Sequence, residues 1–154
     1  MSSKYHYDCL KFRGYKPCDA RQTCQGCAEY RPWSKKILII KLGALGDVLR
    51  TTPVLHALLR KEPNAHITWV TKRSSRELLE TASQIHRLVY VDDPDNGGVF
   101  RLMTEEFDEV HCYDKEDSAI SLATLVKAKQ RFGFFMNPQG QMAPINKASE
   151  YSYD

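Results

Sequence analysis

Hydrophobic and polar residues follow two alternating patterns along the chain, and the first of these patterns predicts strands. Five short apolar runs, rich in β-branched or aromatic residues, are bounded by charged or turn-forming residues. Such runs are typical of strands that are buried within a sheet. The pattern predicts strands at residues 35–41, 66–71, 88–91, 109–113 and 131–135.

The second pattern has helical spacing and lies between these strands. It predicts helices at 48–61, 76–80, 99–106 and 118–129. Pro53 fits a helix only in its first turn, so the regular part of the first helix is expected to begin near Thr51 or Thr52. Alternating strands and helices predict an α/β, Rossmann-like fold with a five-stranded, largely parallel sheet and helices on both faces.

Composition adds the class of protein. The chain has 154 residues, of which 42% are hydrophobic and 27% charged, and this is ordinary globular usage. The longest apolar run is far shorter than the roughly 18 residues of a membrane helix, and the N-terminus lacks the apolar core of a secretion signal. We therefore expect a cytoplasmic protein. Residues 146–151 resemble the start of a further helix, which suggests the front part of a longer protein.

Charge divides the chain near residue 35. Residues 1–36 hold 8 Lys and Arg against 3 Asp and Glu, a net charge of +5, whereas the other 118 residues hold 14 against 16, a net charge of −2. Four of the five cysteines also lie in the basic segment. The expected organisation is a Cys-rich leader at 1–35 and an α/β domain at 36–154. The overall charge of +3 is too small to indicate a nucleic-acid binder.

The loop at 41–47 is the first candidate for chemistry. It joins the first strand to the first helix and contains Gly43 and Gly46, which allow positive φ and close approach of a ligand. A dinucleotide site is disfavoured because the spacing is G-x-x-G and no acidic residue follows the second strand. Asp47 closes the loop, either as a helix cap or as a functional carboxylate.

The segment around this loop, ILIIKLGALGDVLRTTP at 37–53, closely resembles the opening of the heptosyltransferase-like glycosyltransferases, family 9. Weaker similarities follow in the same order at 114–116, 118–119, 127–134 and 144–151. Members of this family transfer a sugar from a nucleotide-sugar such as ADP-heptose to a lipopolysaccharide-type glycolipid acceptor. The resemblance covers about residues 36–154.

The resemblance implies a GT-B architecture with two Rossmann-like domains. This chain would be the N-terminal, acceptor-side domain, and the nucleotide-sugar would bind to a C-terminal domain that the sequence lacks. The isolated chain would then be inactive. Asp47 matches the family's general base for inverting transfer, a reaction that needs no cofactor. Such a protein would work in the cytoplasm, either free or bound peripherally to the cytoplasmic face of the inner membrane.

Cationic residues supply the expected contacts around Asp47. Lys41 is a candidate for orienting or charge-balancing Asp47, although a strand-end lysine can equally reach solvent. Lys72 and Arg73 follow the second strand, and Lys115 follows the fourth. Together with Gly43 and Gly46 they are candidates for binding an acidic acceptor. The alternative is that they are solvated loop residues.

The leader contains a possible metal site. Cys24 and Cys27 form a C-x-x-C pair, and Cys9 and Cys18 precede it at irregular spacings. Disulfides are disfavoured in the cytoplasm, and four thiolates make a closed structural zinc site. An iron–sulfur cluster and reduced structural cysteines remain alternatives.

A second function class also fits the sequence. In this alternative the leader is a metal-nucleated module that binds nucleic acid or a protein partner, and the α/β domain is a scaffold. The basic charge and the aromatic residues of the leader permit this interpretation. The block at 37–53 does not follow from it.

Overall fold

A computed structural model describes residues 4–19, 23–147 and 149–150. Six strands and five α-helices alternate within these ranges, and a short 3₁₀ turn precedes α3. In chain order they are β1 Lys36–Ile40, α1 Leu45–Thr51, α2 Pro53–Lys61, β2 His66–Thr71, the 3₁₀ turn Arg73–Ser75, α3 Arg76–Leu79, β3 Arg87–Tyr90, α4 Gly97–Leu102, β4 Glu106–Cys112, α5 Asp117–Leu125, β5 Lys127–Met136 and β6 Met142–Pro144.

The strands form one sheet in the order β3-β2-β1-β4-β5-β6. The first five are parallel, which confirms the predicted Rossmann-like sheet. The antiparallel sixth strand was not predicted from the sequence. Strand order reverses between β1 and β4, the position at which open α/β sheets bind ligands beyond the carboxyl ends of their strands.

Each face of the sheet carries its own hydrophobic core, because alternate side chains of a strand point to opposite faces. Ile37 and Ile39 of β1 pack in one core with residues of α1, α2 and α3. Leu38 and Ile40 pack in the other core, which includes residues of α4 and α5. The predicted helices on both faces are confirmed. Among the described residues, no helix is both long enough and apolar enough to cross a membrane.

The segment predicted as one helix at 48–61 is two helices, because α1 already begins at Leu45 and ends at Thr51. The expected start of the regular helix near Thr51 or Thr52 is confirmed by α2, whose N-cap is Thr52 and whose first turn contains Pro53, where the missing N–H costs nothing. The helix predicted to reach Lys129 ends at Leu125. Residues from Lys127 onward pair with β4 instead. This long-range pairing outweighs the local helical pattern.

Other predicted ranges also shift. The weak helix expected at 99–106 is α4 and ends at Leu102, so β4 begins three residues earlier than predicted. The strand predicted at 131–135 is β5, which begins earlier, at Lys127, because these residues pair with β4. Gly133 lies in this strand at φ +97°, and an added Cβ would approach the Cys112 carbonyl oxygen to 1.9 Å. Only glycine fits at this contact.

The leader packs at the amino ends of the strands. Its described residues, 4–19 and 23–35, contain no helix or strand, and one isolated bridge joins Cys9 to Pro32. Trp33 meets His66 at the start of β2 edge-on, with 5.7 Å between ring centroids. Beside this contact lies a cavity of about 670 Å³ that is lined by residues of the leader and of the α/β domain. The leader thus covers the edge opposite to the glycine loop.

Candidate functional site

The candidate site lies at the carboxyl edge of the three central strands. The sheet order places β1 between β2 and β4, so the residues that follow these strands are neighbours. The glycine loop leaves β1, Lys72 follows β2, and Asp114 and Glu116 follow β4. We call this group the carboxyl-edge cluster.

Asp114 organises the glycine loop. Its Oδ2 accepts the backbone N–H of Leu42 at 2.9 Å and lies 3.4 Å from Lys41 Nζ. Its Oδ1 accepts the backbone N–H of Glu116 at 3.0 Å. Burial raises the pKa of this carboxyl, but the backbone N–H groups of Glu116 and Leu42 and the charge of Lys41 outweigh burial and lower it overall. The group is a buried carboxylate that holds two loops together.

Leu42 is fixed from the other side as well. Its carbonyl oxygen accepts the backbone N–H of Lys72 at 3.3 Å and the hydroxyl of Thr71 at 3.4 Å. Trp69 donates its indole N–H to the carbonyl oxygen of Lys41 at 3.3 Å. The start of the loop is therefore hydrogen-bonded to residues of β2 and to Asp114, which follows β4.

Asp47 lies in the first turn of α1, directly after this loop. The N-cap of the helix is Ala44, and Asp47 lies three residues further on. The cap interpretation of Asp47 is therefore wrong. The Asp47 side chain is 51% exposed, and its Oδ1 lies 3.0 Å from a guanidinium nitrogen of Arg50. A carboxylate at a helix N-terminus that remains accessible to solvent can accept a proton from an incoming hydroxyl.

Lys41 does not take the partner that the sequence suggested. It forms its ion pair with Asp114 rather than with Asp47, and its side chain is only 12% exposed. Both the orienting role toward Asp47 and the solvent-exposed alternative are therefore corrected. The physical reason is that β1 and β4 are paired, so that Lys41 and Asp114 follow neighbouring strands, whereas Asp47 lies at the other end of the loop, within α1.

The two glycines of the loop do not adopt the left-handed backbone conformation that favours glycine. Neither Gly43 nor Gly46 has a positive φ. An added Cβ would meet Glu116 Oε1 at 3.7 Å from Gly43, and an Arg50 nitrogen at 3.9 Å from Gly46, which are ordinary contacts. The expectation that they supply positive φ is therefore wrong, and what they contribute is an uncrowded surface.

Most of the cationic residues proposed to bind an acceptor already contact other residues of the chain. Lys72 Nζ contacts both carboxylate oxygens of Glu116, at 2.9 and 2.7 Å, and this hydrogen bond raises the pKa of Lys72. Lys115 Nζ lies 5.5 Å from the ring centroid of Phe134. The side chain of Arg73 is exposed, and its backbone N–H binds Asp92 Oδ1 at 2.9 Å. The Lys72–Glu116 pair is exposed to solvent, which weakens such ion pairs, so a ligand can displace it.

Sequence reasoning missed the roles of Asp114 and Glu116. The segment at 114–116 was recognised, but only Lys115 was selected from it. A usable signal was present, because an acidic residue directly after a buried parallel strand reaches the loops of its neighbours. The neighbour itself becomes known only when the strand order places β4 beside β1.

Comparison with solved structures identifies the fold. A glycosyl transferase family 9 structure from Veillonella parvula DSM 2008 matches 67% of this chain with a TM-score of 0.58 and 26% sequence identity. The match covers 32% of that structure's chain. No protein-family model matches this chain, and the search of curated proteins found no match either.

Two structures of the E. coli heptosyltransferase WaaC match as well. One is described as containing ADP and the other ADP-2-deoxy-2-fluoro heptose, and both are 18% identical to this chain, with TM-scores of 0.54 and 0.53. Each match covers 64% of this chain and 36% of the WaaC chain. The chain therefore spans about one third of the length of each of these three structures. The resemblance to glycosyltransferase family 9 is confirmed at the level of the fold.

Proposed function

We propose that this chain, with its family 9 glycosyltransferase fold, is the acceptor-side domain of an inverting glycosyltransferase. The donor is a nucleotide-sugar such as ADP-heptose, which binds to a C-terminal domain outside this sequence. The acceptor is a lipopolysaccharide-type glycolipid, met at the cytoplasmic face of the inner membrane. The support is the match to family 9 together with the position of Asp47.

The observation that carries the proposal is an accessible carboxylate at the carboxyl edge of β1. In the proposed step, Asp47 takes the proton from an acceptor hydroxyl while the hydroxyl oxygen forms a bond to the anomeric carbon of the sugar. The bond from that carbon to the nucleotide phosphate breaks, and the nucleoside diphosphate leaves with the electron pair. The rigid loop held by Asp114 keeps the base in place.

The acceptor would be bound by cations that surround this base. Arg73 offers an exposed guanidinium for carboxylate or phosphate groups. Lys72 contributes when an acidic acceptor displaces Glu116, at the small cost of an exposed ion pair. Gly43 and Gly46 leave the loop uncrowded, so the acceptor can reach the carboxylate. Lys115 extends the positive surface beyond β4.

The experiment joins this chain to the C-terminal half of the Veillonella parvula protein. Nucleoside diphosphate release is measured with ADP-heptose and a lipopolysaccharide-core acceptor. The isolated chain is expected to fold without turning over donor, because the leaving pyrophosphate needs donors from the second domain. In the fusion, Asp47→Asn is expected to lower kcat by about 10²–10⁴-fold, while KM for the acceptor changes little, since a base acts in the transition state.

Glu77→Gln is the matched control. Glu77 is also an exposed acidic residue in the first turn of a helix, so the control removes the same charge from an equivalent position. It is expected to retain turnover. Two results would contradict the proposal: a fusion with intact Asp47 that shows no turnover, or an Asp47→Asn variant that retains most of it.

A further inference from the structure

The leader contains a second chemical constellation that the transfer reaction does not use. Its four cysteines come from three separate segments and line one cavity of about 150 Å³. All four carry free thiols. The remaining lining side chains include His6, which stacks on Tyr30 with 4.0 Å between ring centroids. The fifth cysteine, Cys112, is buried in the sheet, far along the chain from this cavity.

Burial within the leader is concentrated on the cysteines. Among its described residues, only Cys9 and Cys24 are buried, and each is 9% exposed. The larger apolar side chains remain partly or fully exposed, including Tyr7 at 64% and Tyr15 at 81%. A segment of this length without an apolar core or regular secondary structure is unstable unless a covalent or metal cross-link joins its parts.

The chain path around the cavity suits a metal. Cys24 and Cys27 lie in a tight turn in which the Cys27 N–H binds the Cys24 carbonyl oxygen at 3.1 Å. Gly26 gives this turn its φ of +66°. Cys9 is held at the other side by its bridge to Pro32 and by a hydrogen bond from its N–H to the His6 carbonyl oxygen. Two anchored segments thus contribute cysteines to the same cavity.

We propose that Cys9, Cys18, Cys24 and Cys27 bind a single structural Zn²⁺ ion. In the described residues, no group of three or more His, Cys, Asp or Glu side chains is placed to hold a metal ion. Tetrahedral binding requires zinc–sulfur bonds of about 2.3 Å, so binding would draw the four thiols that line the cavity closer together. Four thiolates around Zn²⁺ carry a net charge of −2, which the basic leader offsets. This site is independent of the proposed transferase activity.

The first measurement is metal content. The full chain is purified under reducing conditions with zinc, desalted, and analysed by elemental analysis. We expect about one zinc per chain in the parent and in a Cys112→Ala control. Cys9→Ala, Cys18→Ala, Cys24→Ala and Cys27→Ala are each expected to lose most of it. Replacement of zinc by Co²⁺ in the parent should give the visible bands of a tetrahedral cobalt–thiolate site.

A second measurement keeps the parent sequence and removes only the metal. Chelation is expected to make the leader sensitive to proteolysis at sites before residue 36, while the α/β domain stays resistant. The proposal is overturned if the reduced parent holds no zinc, if all four single variants retain it, or if the metal is iron with the visible absorption of an iron–sulfur cluster. None of these outcomes depends on sugar transfer.

Discussion

At the scale of single residues, a buried carboxylate decides the shape of the candidate site. The side chain of Asp114 is 7% exposed, yet it is charged, because it accepts backbone N–H groups from two loops and pairs with Lys41. The catalytic candidate Asp47 is half-exposed and pairs with Arg50 at 3.0 Å. One aspartate therefore builds the loop, and the other is left available for chemistry.

Replacing Asp114 by Asn tests this division. Asn keeps one acceptor oxygen but places an NH₂ group against a backbone N–H or Lys41, and it removes the negative charge. We expect a loss of about 2–4 kcal/mol in the free energy of unfolding, measured by urea titration.

The control is Asp92→Asn. Asp92 also accepts a backbone N–H, from Arg73, but it is exposed. Its loss is expected to cost about 1 kcal/mol or less. Equal effects of the two substitutions would show that Asp114 has no special role in holding the loop.

At the scale of elements, the amino end of β2 carries an uncharged histidine. His66 is 9% exposed, and its Nδ1 has no hydrogen-bond partner among the described residues. Burial lowers its pKa to about 3, and the nearby His86, Arg87 and Lys36 act in the same direction, against Glu105. The folded protein keeps this imidazole neutral at pH values at which the unfolded chain protonates it.

The free energy of unfolding is therefore expected to decrease as the pH is lowered. His66 has a lower pKa in the folded protein than in the unfolded chain, where it is near 6.5. The folded state therefore keeps its full stability above pH 6.5 and loses part of it as the pH falls toward 3, because only the unfolded chain then binds the proton. Between pH 7 and pH 5 the free energy of unfolding should decrease by about 2 kcal/mol through His66. Urea titrations at the two pH values measure this change, and His66→Phe should remove most of it.

His56→Phe is the control, because His56 is exposed on α2. It should leave the pH dependence unchanged. A smaller slope is expected to remain in His66→Phe, since burial also lowers the pKa of His86 and His111. An unchanged slope in His66→Phe would contradict the prediction.

At the scale of the whole molecule, the two chemical constellations lie at opposite edges of the sheet. The carboxyl-edge cluster follows the ends of β1, β2 and β4, whereas the leader contacts their beginnings. Trp33 links the leader to the sheet: its backbone N–H donates to the Asp8 carbonyl oxygen within the leader at 2.8 Å, and Nζ of Lys36 in β1 lies 5.7 Å from its ring centroid. The described contacts of the leader with the sheet therefore lie at the edge away from Asp47.

Trp33→Ala tests this docking. Loss of the half-buried ring is expected to cost about 1–3 kcal/mol, less than the loss of a fully buried aromatic residue. Thermal unfolding measures the decrease, and proteolysis should cleave the leader before the α/β domain. Tyr15→Ala is the control, because Tyr15 is 81% exposed and should be neutral. Equal melting temperatures for Trp33→Ala and the parent would show that the leader is not docked through this residue.

The sequence by itself determined the features that depend on local pattern. Buried apolar runs and helical spacing predicted the parallel sheet and its helices, because burial on both faces leaves a continuous apolar strand. The turn between the first strand and helix predicted the position of Asp47. That the four leader cysteines bind a metal ion remains a prediction.

Only the tertiary structure decided which distant residues meet. Lys41 pairs with Asp114, 73 positions away, because the strand order puts β4 beside β1. Residues from Lys127 join a strand rather than a helix because β4 offers them backbone hydrogen-bond partners. The leader packs at the amino edge through Trp33 and His66. These outcomes depend on long-range contacts, whose free energies outweigh local propensities and cannot be assigned before the fold is known.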